Sequence, residues 1–348
     1  MPAGERIGAV RIGACVAALS CGAAAPAVAA SVADFYSGKS VNLVVGLPVG
    51  SAFDAYGRLI ARHIGDHIPG SPSVVAQNMP GAGGLVAANY IYNTAPKDGS
   101  VFGSMPATPL FEPLLGDKQA LFEAAKFDWL GSASQSVYFC VLGPSSKITS
   151  FDQWSKSGKE LTFAASGPTA GTYKDTMVLK NILGAGLRTI TGYSGVATSA
   201  LAVERGEADG ICGVPSTTLA VQFKSQLDSG QFIPIMQMGA RRDESLGKVP
   251  SVFDFAKTDE QRQILSFAFE QLALGKPFMA PPGLPNDRFE ALNTAFAETL
   301  KDPALLADAK QAKLNIEYLS GGDAKTLLKK FADYPPAVLA KAKQVLGE

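Results

Sequence analysis

The chain has 348 residues, 47% of them apolar, which is enough for one large or two medium domains with real cores and excludes a disordered polymer. Lysine plus arginine and aspartate plus glutamate each number 31, so the formal charge is zero. No basic field exists to recruit nucleic acid or anionic lipid, and a charged ligand has to be held by local groups.

Residues 1–29 read as a secretory signal. Arg6 and Arg11 precede a weakly apolar run at 12–25, and Ala27-Val28-Ala29 makes a small-x-small cleavage site before Ala30. The run is too short and too rich in Ala and Gly to span a membrane, and no other segment reaches spanning length, so the mature protein is expected to be soluble and exported to the periplasm. A lipoprotein acylated at Cys21 is the secondary reading, because Leu19 stands one place from the usual lipobox position. Cys15 and Cys21 fall in the signal. Cys140 and Cys212 remain, and the sequence leaves both a disulfide and two buried thiols open.

From residue 41 onward, short β-branched runs alternate with helical patterns. Strands are expected at 41–45, 74–77, 101–105, 138–142, 161–165, 188–191, 211–214 and 232–238. Near-continuous apolar strands separated by helices predict an α/β protein built on mainly parallel sheets flanked by helices. Between the first two strands, Phe53, Tyr56, Ile60, Ile64 and Ile68 share one helix face before Pro69-Gly70 stops it. Near the end, Asn286 is placed to cap a helix carrying Phe289, Leu292, Phe296 and Leu300, and Asp302-Pro303 reads as the cap and first residue of another. No flexible linker separates two domains, so structured strands make the crossings, one at 138–142 and one at 274–278.

Two segments carry the functional signal. Residues 41–54 and 74–84 each run from a buried strand through a small-residue turn into a helix, aiming helix N-terminal N–H groups above the sheet. Side by side, two such ends make an anion site. Ser51-x-x-Asp54 matches a capping box, and Thr172-x-x-Asp175 repeats the pattern. These side chains are therefore assigned to holding the turn, and the ligand to the backbone around 50–53, 81–84 and 167–172.

Other chemistry is unsupported. His63 and His67, the only histidines, have chelating i,i+4 spacing with Asp66 nearby but no third ligand in view, and they suit the end of a helix. There is no G-x-S-x-G elbow. The segment Gly167-Pro168-Thr169-Ala170-Gly171-Thr172-Tyr173-Lys174 lacks the Gly-Lys-Ser/Thr of a Walker loop, and Gly81-Ala82-Gly83-Gly84 has Val86 where a dinucleotide fingerprint needs its third glycine.

At these residues the chain resembles the substrate-binding proteins of tripartite tricarboxylate transporters, the Bug family. Members commonly show Pro-x-Gly-Gly-x-x-Asp, a helix with Ala-Arg-Leu, then Asn-x-Pro-Gly-Ala-Gly-Gly. Here these read Pro48 to Asp54, Gly57-Arg58-Leu59-Ile60-Ala61 and Asn78 to Gly84. Ala95-Pro96-Lys97-Asp98-Gly99, Gly192-Tyr193-Ser194-Gly195, the stretch from Leu201 to Gly210 and Ala280-Pro281-Pro282-Gly283-Leu284-Pro285 follow in order. The match covers nearly all of the mature chain.

The resemblance implies a two-lobed type II periplasmic binding protein, a Venus flytrap joined by hinge strands. One lobe would take 30–138 plus 275–348 and the other 139–274. Such a protein closes on a small carboxylate and delivers it to membrane transporter subunits as a monomer, without enzymatic activity, cofactor or nucleic acid. The ligand-binding residues implied are Val49, Gly50, Ser51, Ala52, Phe53, Asp54, Asn78, Gly81, Ala82 and Gly83 on one lobe, and Ser166, Gly167, Thr169, Gly171, Thr172 and Tyr193 on the other. The chain departs from the family at Ser51-Ala52-Phe53, often Gly-Gly-Thr, and at Pro168-Thr169-Ala170. Phe53 falls on the packing stripe; facing the cleft instead, it would suit a ligand with an apolar or aromatic body. Two other readings stay open: a receptor that presents its ligand to a membrane sensor, and an enzyme on the same scaffold, which lacks an evident base and nucleophile.

Overall fold

The computed structural model describes residues 1–4, 31–167 and 170–346, with Leu115 described in its backbone only. The expected signal segment therefore lies almost wholly outside the described residues. Eleven strands are described: β1 (Ser40–Val45), β2 (Ser73–Asn78), β3 (Val101–Ser104), β4 (Asp128–Ser132), β5 (Tyr138–Leu142), β6 (Leu161–Ala164), β7 (Leu187–Ile190), β8 (Gly210–Pro215), β9 (Ile233–Met238), β10 (Pro277–Ala280) and β11 (Leu319–Ser320). All eight expected strands form, within one or two residues at each end.

They build two sheets, ordered β11-β4-β10-β3-β1-β2 and β7-β6-β8-β5-β9. β1 is covered on both faces, with Val41, Leu43, Val44 and Val45 buried, and it pairs in parallel with β2 and β3. β6 likewise lies parallel to β7 and β8. The remaining pairings are antiparallel: β10 with β3 and β4, β11 with β4, and β5 with β8 and β9. Both sheets are thus mixed, where apolar strands had pointed to mainly parallel pairing. An apolar strand buried on both faces reads the same whichever way its neighbours run, and β5 and β10 are the strands by which the chain enters a sheet from the other one.

The chain passes between the sheets at residues 133–137, ahead of the expected 138–142, which form β5 within the second sheet, and again at 274–276, and the two segments lie side by side. Ala133 N–H donates to Lys276 O at 2.8 Å, Lys276 N–H to Ser134 O at 3.1 Å, and Ser136 N–H to Leu272 O at 2.8 Å. Gly275 permits this contact, since a Cβ there would sit 2.7 Å from Ser134 O and from Ser136 Oγ. The crossings are therefore a hydrogen-bonded pair of extended segments rather than a loose tether.

The helix Ala52–His67 packs Tyr56, Leu59, Ile60 and Ile64 on the first sheet, as its periodicity predicts. Ser51 caps it, its Oγ accepting Asp54 N–H at 3.1 Å. Asp302 caps the helix Pro303–Gln311, again as read from the sequence, whereas Asn286 is the first residue of the helix Asn286–Thr299 and Pro285 occupies the cap position. Cys140 on β5 and Cys212 on β8 are joined by a disulfide that closes a loop with a sequence separation of 72. The last helix, Pro336–Leu346, grouped with the first sheet in the sequence reading, places Val338, Ala342, Val345 and Leu346 in one apolar cluster with Val178 and Ile264 of the second-sheet helices. Asn181 ties it there through a 3.0 Å bond to Val345 O.

Candidate functional site

The turn 48–54 follows β1 and opens the helix Ala52–His67. The N–H groups of Ala52 and Phe53 have no intrahelical acceptor, because a helix leaves its first turn unpaired. Around them the side chains are fully engaged with the turn itself. Asp54, only 4% exposed, accepts Gly50 N–H at 2.9 Å and Asn78 Nδ2 at 2.9 Å, and pairs with Arg58 Nε at 2.9 Å. Burial raises this carboxyl, and the bonds from Arg58, Gly50 and Asn78 outweigh that, leaving it below the usual carboxylate range. Its charge is thus neutralised locally. Asn78 also donates to Leu47 O at 2.8 Å, binding the end of β2 to the turn. Val49, 72% exposed, projects from the turn into solvent.

Beside it, Gly81, Ala82, Gly83 and Gly84 all have positive φ, with Gly84 N–H closing on Gly81 O at 2.9 Å. The turn leads into the helix Leu85–Asn93. Gly46 N–H on Ser104 O and Met79 N–H on Val45 O, both 2.8 Å, lock these segments to the sheet. The first group of predicted residues is therefore brought together at one end of the first sheet.

The second group assembles on the other sheet, at the carboxyl end of β6. Ser166 N–H donates to Thr172 Oγ1 at 3.1 Å, Gly192 N–H to Ser166 O at 3.0 Å, and Tyr193 N–H to Ala165 O at 3.4 Å. Thr169 lies outside the described residues. The helix Gly171–Asn181 starts at the expected turn with Ala170 as its cap, so the second capping box does not form. Thr172 is already inside the first turn, and its hydroxyl serves Ser166. Asp175 instead is 8% exposed, with Oδ2 unbonded among the described residues. Burial pushes its carboxyl up to about 7, the neighbouring Lys174 acting in the opposite sense. With Thr108, Phe111, Tyr138, Gly171 and Phe267 it lines a cavity of about 250 Å³ between elements of both sheets. Burial, and then the charge of Asp175, drive the Tyr138 phenol up to about 12.

Phe53 resolves into an intermediate position. It packs half-buried on the first core, as its place on the stripe predicts, and its ring carries the Lys276 ammonium 4.6 Å from its centroid. The Tyr56 ring lies 5.2 Å from the same ammonium. Burial lowers Lys276 to about 8. Its Nζ donates to Gly275 O at 3.0 Å, and among the described residues no carboxylate pairs with it. Across the hinge, Arg241 after β9 forms a bidentate pair with Glu317, with Nε on Oε2 at 3.0 Å, and Glu317 N–H donates to Ala133 O.

No protein-family model matches the chain, and no curated protein matches it in sequence. Among solved structures it is similar to a TctC solute binding protein from Polaromonas with no ligand, at TM-score 0.70 and 15% identity over 88% of this chain and 99% of that one. The periplasmic binding protein BugD gives 0.60 and 20% over 89% and 98%, and an R. palustris protein with adipate gives 0.59 and 20% over 89% and 98%. The fold is that of a two-lobed periplasmic binding protein. At these identities the likeness is one of fold, and it makes lobes of the two sheets and a hinge of the paired crossings.

Two features of this binding-protein fold escaped the sequence. Lys276 reaches the first turn from a segment far downstream of Phe53, so no local spacing connects them. His63 and His67 pair with Asp308 at 3.1 Å and Asp302 at 2.9 Å, carboxylates of a distant helix rather than Asp66. They dock that helix on the first one.

Proposed function

We propose that the chain is an extracytoplasmic solute-binding protein of the tripartite tricarboxylate transporter type. It is exported by way of residues 1–29, captures a small carboxylate between its lobes in the periplasm, and delivers it as a monomer to membrane transporter subunits. One observation carries the reading: each lobe ends a central parallel strand, β1 or β6, in a small-residue turn and a helix N-terminus, while the acid nearest the first turn is already neutralised by Arg58.

The contacts are assigned to the backbone of Val49, Ala52, Phe53, Gly81, Ala82 and Gly83 in one lobe and of Gly167 and Gly171 in the other, while the N–H groups of Gly50 and Tyr193 are already taken by Asp54 and by Ala165 O. Ser51, Asp54, Asn78, Ser166 and Thr172 hold the turns in shape. Binding by both lobes favours the closed arrangement over the open one, which is how a ligand shifts a hinge. Calorimetric titration with mono-, di- and tricarboxylates tests this. Saturable binding of at least one is expected, and none binding would overturn it.

A further inference from the structure

Lys276 stands out among the charged groups of the first lobe. Its backbone is pinned by Ser132 Oγ at 3.1 Å and Ser134 O at 3.1 Å, so the hinge fixes the root of the side chain. Its ammonium then lies on the Phe53 and Tyr56 rings, beside the first turn of the helix Ala52–His67. Every acid facing this region has its own cation or donors. Asp54 is held by Arg58, and Glu317 by Arg241 and Asn315. Tyr56 is neutral and donates its hydroxyl to Asn315 O at 2.7 Å. A desolvated ammonium stacked on aromatic faces without a counter-ion is a strong site for an anion, because the missing water makes the pairing stronger than at the surface.

We propose that Lys276 is the charge anchor of the cleft: its ammonium, held over Phe53 and Tyr56, pairs with a carboxylate of the bound ligand. The assignment rests on the carboxylate-binding reading above. It divides recognition between a fixed cation on the hinge and the N–H groups of the turn, and it selects anions over neutral solutes of the same shape. Lys276 thereby acts as a specificity residue rooted in the segment that joins the lobes.

The test is calorimetry on the whole chain with adipate, malate and citrate as probes, comparing wild type, Lys276→Met and Lys276→Arg. The expected result is an affinity about tenfold or more lower in Lys276→Met, with a melting temperature no lower than wild type, and near-wild-type affinity in Lys276→Arg. Equal affinity in wild type and Lys276→Met would overturn the anchor and leave the carboxylate reading intact. No binding of any probe by wild type would overturn both. A second readout needs no variant. Wild-type affinity should fall as pH rises through about 8, where Lys276 loses its proton, and a flat profile across that range contradicts the proposal.

Discussion

Replacing Asp175 with Asn should stabilise the protein by an amount that grows with pH, and the size of the gain follows from the surroundings of the side chain. The carboxyl is buried in the interlobe cavity with Oδ2 unbonded, and its pKa rises from 3.8 to about 7. Between those values the native protein holds a proton that the unfolded chain has released. The stability contributed by the neutral carboxyl is complete below the unfolded pKa, declines as pH rises from about 4, and is gone above about 7. Roughly three pH units at about 1.4 kcal/mol each set a ceiling of about 4 kcal/mol. The amide introduced by Asp175→Asn carries no charge at any pH. Urea unfolding of wild type and Asp175→Asn, followed from about pH 5 to about pH 8, isolates the effect, because His63, His67 and every other titrating group are common to both proteins. The variant should gain on wild type from about pH 5 to about pH 7 and level off above, with a total gain of about 2 kcal/mol or more. A difference that does not change with pH would show that Asp175 is already ionised in the native state, since such a carboxyl gives no slope.

Further outcomes follow from the same structure. Reducing the Cys140–Cys212 bond, or replacing both with Ser, should cost about 4 kcal/mol by releasing a loop with a sequence separation of 72; unfolding midpoints with and without reductant measure it. Asp54→Asn should cost about 2 kcal/mol and weaken carboxylate binding together, because one carboxylate holds Gly50, Asn78 and Arg58; a lost affinity with an unchanged melting temperature would assign Asp54 to the ligand instead. Gly81→Val should abolish binding, as a Cβ there falls 2.6 Å from Val86 Cγ2, whereas Gly83→Ala meets no atom within 4 Å and bears only the strain of φ +64°, about 1 kcal/mol. Affinity and melting temperature measured on both variants separate steric loss of the turn from backbone strain.

The sequence made the strand–turn–helix units legible because their signals are local. The apolar run of β1, the small residues at 50–52 and the Ser51 cap lie within a few positions of one another, and the helix stripe from Tyr56 to Ile64 repeats at fixed spacing. Strand direction was not legible, since β5 and β10 are as apolar as their parallel neighbours and only the path of the chain between lobes sets their sense. β4 was missed for its Gly131 and Ser132, which interrupt the apolar run, and β11 because it is only 2 residues long. At the site, the turn residues were found and the cation was not. Lys276 joins Phe53 and Tyr56 only because the return crossing lies against the end of β4, a contact carried by the bonds of Lys276 N–H to Ser132 Oγ and Ser134 O, which no local spacing announces. The same holds for Asp175, whose spacing from Thr172 imitates a capping box until the helix start is known.

A small carboxylate held by the backbone turns of both lobes at once would shield the N–H groups of both turns from solvent. Amide hydrogen exchange of the whole chain, with and without a saturating carboxylate identified by calorimetry, tests it most directly. Slowed exchange is expected at Ala52 and Phe53 in one lobe and at Gly171 and Thr172 in the other, appearing together as ligand is added. Protection confined to one lobe, or located away from both turns, would contradict it.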